Sequence, residues 1–259
     1  LVGDSCTVVS GNIDGLQAFD GLTALDMISD TNMQVGNYIS TVGYSVAGDG
    51  GDNLYVVVAG GTGTDDGGSY LDLDNGLQAH GLFPGGAVNV KQFGAVGDGA
   101  TDDGVSCRAA SSYLYYAGGG ILSIPAGTYK ILRSGSSTTA WGIQSTINIY
   151  GDGVGVTTLT CGAETASLIS FSGVSDCSIN HLSIDCSGQT AGHGIRLASV
   201  SGVSCNYLHI TNTFGYGIGA QDGGIIDVRL TNLIIEDVGS SGIDIKNINS
   251  TNSGILIDN

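Results

Sequence analysis

The stretch from Val88 to Tyr129, VNVKQFGAVGDGATDDGVSCRAASSYLYYAGGGILSIPAGTY, decides the fold. Val88–Phe93 reads as a short strand that leads into a tight Gly/Asp segment, Gly94–Gly99. Thr101 or Asp102 then stands where a helix N-cap belongs. Asp103 falls in the first turn, where a carboxylate meets the positive end of the helix dipole. Val105, Ala109, Ser112/Tyr113 and Tyr116 recur at helical spacing, which predicts a helix over Gly104–Ala117 with one apolar face. Gly118–Gly120 end it, because glycine adopts the left-handed conformation that closes helices. Ile121–Ile124 is a strand, and Pro125–Thr128 turns the chain into another.

Downstream of Ile131 the sequence repeats. Ile179-Asn180-His181-Leu182-Ser183-Ile184 aligns with Cys205-Asn206-Tyr207-Leu208-His209-Ile210 and with Leu230-Thr231-Asn232-Leu233-Ile234-Ile235, at offsets of 26 and 25 residues. A second set follows: Gly194-Ile195-Arg196-Leu197, Gly217-Ile218-Gly219-Ala220 and Gly242-Ile243-Asp244-Ile245, at offsets of 23 and 25. Short alternating strands split by Gly/Asn/Ser turns at this period are what one coil of a β-solenoid requires. Each coil buries its inward residues against its neighbours, so Ile184, Ile210 and Ile235 should form one line of the core.

The order FGAVGDGATDD, helix, GGGILSIPAGTY resembles the start of the pectate-lyase-like family of right-handed parallel β-helices. That family includes polysaccharide lyases, glycoside hydrolases, mannuronan epimerases and phage tailspikes. The resemblance implies an all-β fold: a right-handed single-stranded parallel β-helix with an N-terminal capping helix over its open end. Upstream, TALDMISDTNMQVGNYISTVGYSVAGDGGDNLYVVV and DDGGSYLDLDNGLQA resemble the small neck domain that precedes the β-helix in many phage tailspikes and related depolymerases. Pro84-Gly85-Gly86 is a breaker cluster, which places a neck domain at 1–86 and the β-helix at 87–259.

Within the first part, Cys6–Ser10 is a candidate strand and Leu22–Ile28 a short helix, with Asp20 or Thr23 near its start. Val35–Val46, Leu54–Ala59 and Tyr70–Leu73 read as strands, and Leu77–Phe83 as a connector. Asp49–Asp52 and Asp65–Gly68 read as turns. At the other end, Gly254–Asn259 begins a strand and stops, so the natural chain is expected to continue. It starts at Leu1 rather than Met, so the lack of a signal peptide says little about export.

Composition narrows the partners. With 45 glycines, 2 prolines and 12% charged residues, the chain suits many short strands and tight turns. Its net charge of −17 argues against nucleic acid, which needs concentrated Lys and Arg. No apolar run is long enough to span a membrane. Cys6, Cys107, Cys161, Cys177, Cys186 and Cys205 contain no CxxC pair, so they read as reduced core residues rather than a zinc site. Asp98, Asp102 and Asp103 lack the alternating spacing of a calcium loop and read as turn and cap residues. No motif calls for a cofactor or a metal ion.

Chemistry on this fold is expected on an outward groove of the coils. Asp185 and Glu236 occupy equivalent positions two coils apart, with Thr211 between them. Two coils separate their backbones by roughly 9–10 Å, near the spacing of an inverting acid/base pair. The same positions also suit ordinary solvated strand ends, as do Asp237, Asp244 and Lys246. Gly192-His193-Gly194 is similar to the GHG of polygalacturonase-type hydrolases, but the Asp-Asp of those enzymes is missing one coil earlier, so His193 reads as a turn residue. His181 and His209 read as surface or satisfied strand positions. Tyr216-Gly217-Ile218 match the start of the epimerase motif, whose carboxylate, proline and histidine are here Gly219, Ala220 and Gln221.

Taken together, the resemblance implies a phage tailspike that binds, and as an enzyme degrades, a bacterial surface polysaccharide by hydrolysis or β-elimination. It further implies a homotrimer, located in the virion and attached to phage tail, baseplate or adaptor proteins. Asp185 and Glu236 are the candidate catalytic pair. The alternatives are a secreted polysaccharide lyase, hydrolase or epimerase, and a non-enzymatic virion adhesin with a β-helix shaft.

Overall fold

A computed structural model describes residues 21–162, 166–245 and 254–258 of the chain. The candidate strand at Cys6–Ser10, Asp20 and Lys246 lie outside the described residues. The fold is mostly β: a parallel β-solenoid of about 6 turns preceded by a small antiparallel sheet, with few helices.

Helix α1 (Ala24–Ser29) opens on a reciprocal cap. Asp26 N–H donates to Thr23 Oγ1 at 3.1 Å, and Thr23 N–H donates to Asp26 Oδ2 at 3.0 Å. Strands β1 (Tyr38–Ser40), β2 (Leu54–Val58), β3 (Tyr70–Asp72) and β4 (Gln78–Leu82) form an antiparallel sheet in the order β1-β2-β4-β3. Met27, Ile39, Tyr55, Val57 and Leu71 fill the core beneath it.

Two expectations fail here. The connector Leu77–Phe83 contains a central strand, β4, which pairs with both β2 and β3. The strand expected over Val35–Val46 shrinks to β1, because the Asp49 carboxylate draws in the N–H groups of Tyr44, Ser45, Val46 and Gly51 at 2.8–3.0 Å. Those bonds wind the chain into a loop instead of a ladder.

The solenoid begins with β5 (Ala87–Asn89). The expected strand Val88–Phe93 ends early, because Asn89 Oδ1 accepts the Lys91 N–H and turns Val90–Phe93 into a short 3-10 helix. Gly94 closes that turn at φ 88. Then come β6 (Asp98–Asp102) and helix α2 (Gly104–Tyr116). Asp103, rather than Thr101 or Asp102, is the N-cap residue, and its carboxylate turns back to accept the N–H groups of Val96 (2.6 Å) and Gly97 (3.2 Å). Burial pushes the Asp103 carboxyl pKa up against the opposing pull of those two donors. The Asp98 and Asp102 carboxylates likewise accept nearby backbone N–H groups.

Five further coils follow. They contain β7 (Gly120–Ile124), β8 (Gly127–Lys130) and β9 (Thr139–Ile143); β10 (Ile147–Gly151), β11 (Thr157–Thr160) and β12 (Ser167–Ser172); β13 (Ser178–Asp185) and β14 (Ile195–Ser201); β15 (Ser204–Thr211) and β16 (Ile218–Ile226); and β17 (Arg229–Glu236) and β18 (Ile243–Ile245), while β19 (Leu256–Asp258) stacks on β17 as the start of the next coil. All neighbouring coils pair in parallel. The first wall stacks β5, β7, β10, β13, β15, β17 and β19, and the third stacks β9, β12, β14, β16 and β18. From β13 on, one strand serves the first and second walls by bending at a left-handed residue: His181 (φ 57), Tyr207 (φ 52) and Asn232 (φ 52).

The observed register matches the repeat read from sequence. Ile179, Cys205 and Leu230 align, as do Ile184, Ile210 and Ile235, and on the third wall Ile195, Ile218 and Ile243. Ile184 and Ile210 are fully buried, and Ile235 packs against the same core. Helix α2 lies against the first coils, with Cys107, Ala110 and Leu114 in that core. The Arg108 guanidinium donates to the carbonyls of Leu132 and Ala140, both at 2.9 Å, and Trp141 Nε1–H donates to Ser111 Oγ at 3.2 Å.

Asp49 ties the small sheet to the solenoid, since its backbone carbonyl accepts from Lys91 Nζ at 3.1 Å. Burial opposes ionisation of its carboxylate, but the N–H donors of Val46, Tyr44, Gly51 and Ser45 outweigh that and hold its pKa below the usual range. A lowered folded value stabilises fully above about pH 4 and loses that contribution as pH falls through it. Asp49→Asn is therefore expected to lower stability by about 1 kcal/mol at neutral pH, the site being solvent-screened. The difference from wild type should shrink below about pH 4 in denaturant titrations run as a pH series. A pH-independent difference would refute the assignment.

Candidate functional site

The repeats that build the core also line up the outside. Along the second wall alternate residues point outward, so Ser183, His209 and Ile234 share one row and Asp185, Thr211 and Glu236 the next. Asp185 and Glu236 stand two coils apart with Thr211 between them, as the repeat predicts. The structure adds His209, whose Nε2 lies 2.9 Å from Glu236 Oε1 on the following coil. Asp185 Oδ1 accepts from Asn212 Nδ2 and from Ser187 N–H, both at 2.9 Å. Each carboxylate is thus oriented by a neighbour rather than swinging free.

Past these rows the chain turns towards the third wall through Ser187–Gln189, Asn212–Phe214 and Asp237–Gly239. These turns line an open groove of about 710 Å³. Phe214 is 58% exposed there and presents a flat apolar ring. Gln189 forms the buried base of the turns. Its Nε2 donates to the carbonyls of Ala166 (2.7 Å) and His193 (3.1 Å), and its Oε1 accepts the Phe214 N–H at 3.1 Å. One buried amide therefore holds turns of successive coils in fixed relation.

His193, whose carbonyl Gln189 holds, carries a ring with its own partners. It sits in the turn before β14, as its flanking glycines suggest, and its ring is held in place there. Nδ1 accepts the Tyr216 N–H at 3.1 Å, so in the neutral ring the proton sits on Nε2. The ring centroid lies 5.0 Å from that of Tyr216. A Cβ on Gly215 would come within 2.7 Å of Nδ1, and one on Gly219 within 2.9 Å of Cδ2. Two glycines one coil later make room for the imidazole, and that pairing across coils was the signal available in FGYGIGA. It also bears on two of the three departures from the epimerase pattern, Gly219 and Ala220. Gly219 is roofed by His193, while Ala220 is buried in line with Leu197 and Ile245.

The remaining candidates are dispersed. Asp237 lines the groove, and Asp244 sits on the third wall in register with Gly219. His181 occupies a left-handed corner and stacks on Tyr207, with centroids 4.9 Å apart.

No protein-family model matches the chain. Over 74 residues, 27% of its length, it is 43% identical to mannuronan C5-epimerase AlgE2 of Azotobacter vinelandii, of which the match spans 7%. Its fold resembles that of tailspike protein gp49 from Acinetobacter baumannii bacteriophage Fri1, a capsular polysaccharide depolymerase. The TM-score is 0.60 at 14% identity, covering 92% of this chain and 48% of that one. The enzymatically active domain of bacteriophage CBA120 tailspike protein 4 gives a TM-score of 0.53 at 15% identity, covering 92% and 33%. The parallel β-helix is thus shared with phage tailspike depolymerases, and the chain spans less than half of each of these relatives.

Gly219→Ala is expected to push the His193 imidazole off the third wall, given the 2.9 Å approach of the added carbon. In NMR spectra the His193 ring signals should move. Unmoved His193 signals in a folded variant would show that the glycine clamp does not position the ring.

Proposed function

We propose that this chain is the β-helix portion of a phage tailspike that binds and depolymerises a bacterial surface polysaccharide. The observation that carries the reading is the outward row Asp185–Thr211–Glu236, joined by His209, beside an open groove with an exposed aromatic ring. An extended groove across stacked coils suits a polymer that offers the same sugar at successive subsites. Phe214 suits the apolar face of a sugar ring, and Asn212 and Asp237 suit its hydroxyls. In the hydrolytic form of the reaction, one carboxyl protonates the glycosidic oxygen while the other takes a proton from the attacking water. The roughly 9–10 Å offset of two coils leaves room for that water.

On this reading the coils wind right-handed, residues 1–86 form a particle-proximal neck and 87–259 the β-helix, and three chains assemble side by side in the virion. Trimerisation multiplies weak sugar contacts into firm attachment. Light scattering on the purified protein should give three times the chain mass, and a monomer would return the reading to a secreted enzyme.

A second reading is favoured by the 74-residue match to an epimerase and by a similar one, 42% identical over 74 residues, to alginate lyase 7 of Azotobacter vinelandii. It is a uronate-acting enzyme that works by β-elimination. One assay separates the readings on a panel of capsular polysaccharides and alginate. New reducing ends without ultraviolet absorbance indicate hydrolysis, ends with the absorbance of an unsaturated uronate indicate elimination, and binding without new ends indicates an adhesin. Asp185→Asn and Glu236→Gln are each expected to lower kcat about 10²–10⁴-fold. Full activity in both variants would sink the site.

A further inference from the structure

Cys161 and Cys186 close the second wall on consecutive coils. Thr158, Leu159 and Thr160 pair in register with Ser183, Ile184 and Asp185, so the next residues, Cys161 and Cys186, stack one above the other. Strand spacing sets their backbones about 4.8 Å apart, and disulfide-bonded cysteines span Cα distances of about 4.4–6.8 Å. Both are buried in the solenoid core, at 5% and 0% exposure. The Cys186 N–H donates to the Thr211 carbonyl at 3.1 Å, which fixes its backbone on the coil that follows.

The two thiols also touch. A hydrogen bond with Cys161 is the leading cause, ahead of burial, that raises the pKa of Cys186. Cys177 and Cys205 have different surroundings. Cys177 donates to the carbonyls of Gln144 and Ser175, both at 3.2 Å. Cys205 lies in the first-wall ladder between Ile179 and Leu230, where burial alone pushes its thiol up to about 12.

We infer that Cys161 and Cys186 are a latent cross-link site, a dithiol that converts to a disulfide bridging two coils directly beneath the candidate groove. Asp185, the outward neighbour of Cys186, would then sit on a strand end fastened to the coil before it. The inference does not rest on the proposed activity. The reaction removes two protons and two electrons from the thiols and forms one S–S bond. A diazene oxidant such as diamide balances it, its N=N bond taking up both protons and both electrons to become a hydrazine. Buried thiols react slowly, so oxidation proceeds through local opening of the stack.

The test uses the full chain, treated with diamide in mild urea, then alkylated and weighed intact. Digestion with trypsin and an Asp-specific protease places Cys161, Cys177, Cys186 and Cys205 on four different peptides. The expected result is a species that carries two alkyl groups fewer than the fully alkylated reduced chain and is a further 2 Da lighter (two hydrogens lost), and whose cross-linked peptides contain Cys161 and Cys186. Its melting temperature should rise by several degrees, and dithiothreitol should reverse the change. Cys161→Ala should abolish the link, whereas Cys205→Ala should leave it. The wild-type peptide map is decisive even if a variant fails to fold. Full alkylation of every thiol after oxidation, or a cross-link between other cysteines, overturns the inference.

Discussion

The in-register stacking of one coil on the next is the constraint on which everything else depends. Each coil is too thin to own a core. It buries its inward side chains only by meeting the same positions above and below, as Ile179, Cys205 and Leu230 do, or Ile195, Ile218 and Ile243. The parallel ladders enforce that meeting, because a slip of one residue would send every inward side chain out to water. The outward rows inherit the same order without selecting for it. Asp185, Thr211 and Glu236 stand in line because Ile184, Ile210 and Ile235 must.

That inheritance explains how much could be read in advance. The period, the inward ladders and the equivalence of Asp185 and Glu236 follow from residue alternation, which is local and repeats. His209 was visible at the same register, but its bond to Glu236 runs diagonally between coils and has no signature along the chain. The clamp on His193 is similar: it joins a histidine to glycines more than twenty residues later. The misread elements share another cause. Asp49 and Asn89 each capture backbone N–H groups with a side-chain oxygen and divert an apolar run from a strand into a turn. The apolar pattern of Val35–Val46 and Val88–Phe93 is real, but a competing hydrogen bond decides the backbone.

The acidic balance of the chain is compatible with this architecture because its carboxylates are put to use. Asp26, Asp49, Asp66, Asp98 and Asp103 all accept backbone N–H groups in caps and turns. Many of the charges that a composition count treats as solubility therefore act as fasteners where strands end. Asp185 accepts the Ser187 N–H of its own turn and the Asn212 amide of the next coil, two residues that line the groove.

The turns that line the groove have one more consequence. Ser187 and Phe214 lie outside the inward ladders and outside the left-handed turn positions held by Asn212 (φ 56) and Asp237 (φ 52), so the identities of the first two carry little of the folding free energy. A lineage can exchange them one at a time, and with them what the groove grips, while the stack beneath stays intact. Gln189 is the exception, because its buried amide ties Ala166, His193 and Phe214 together. Recognition in this molecule is free to drift around a fixed pivot, and the solenoid divides its sequence into a grammar that must be kept and a vocabulary that need not be.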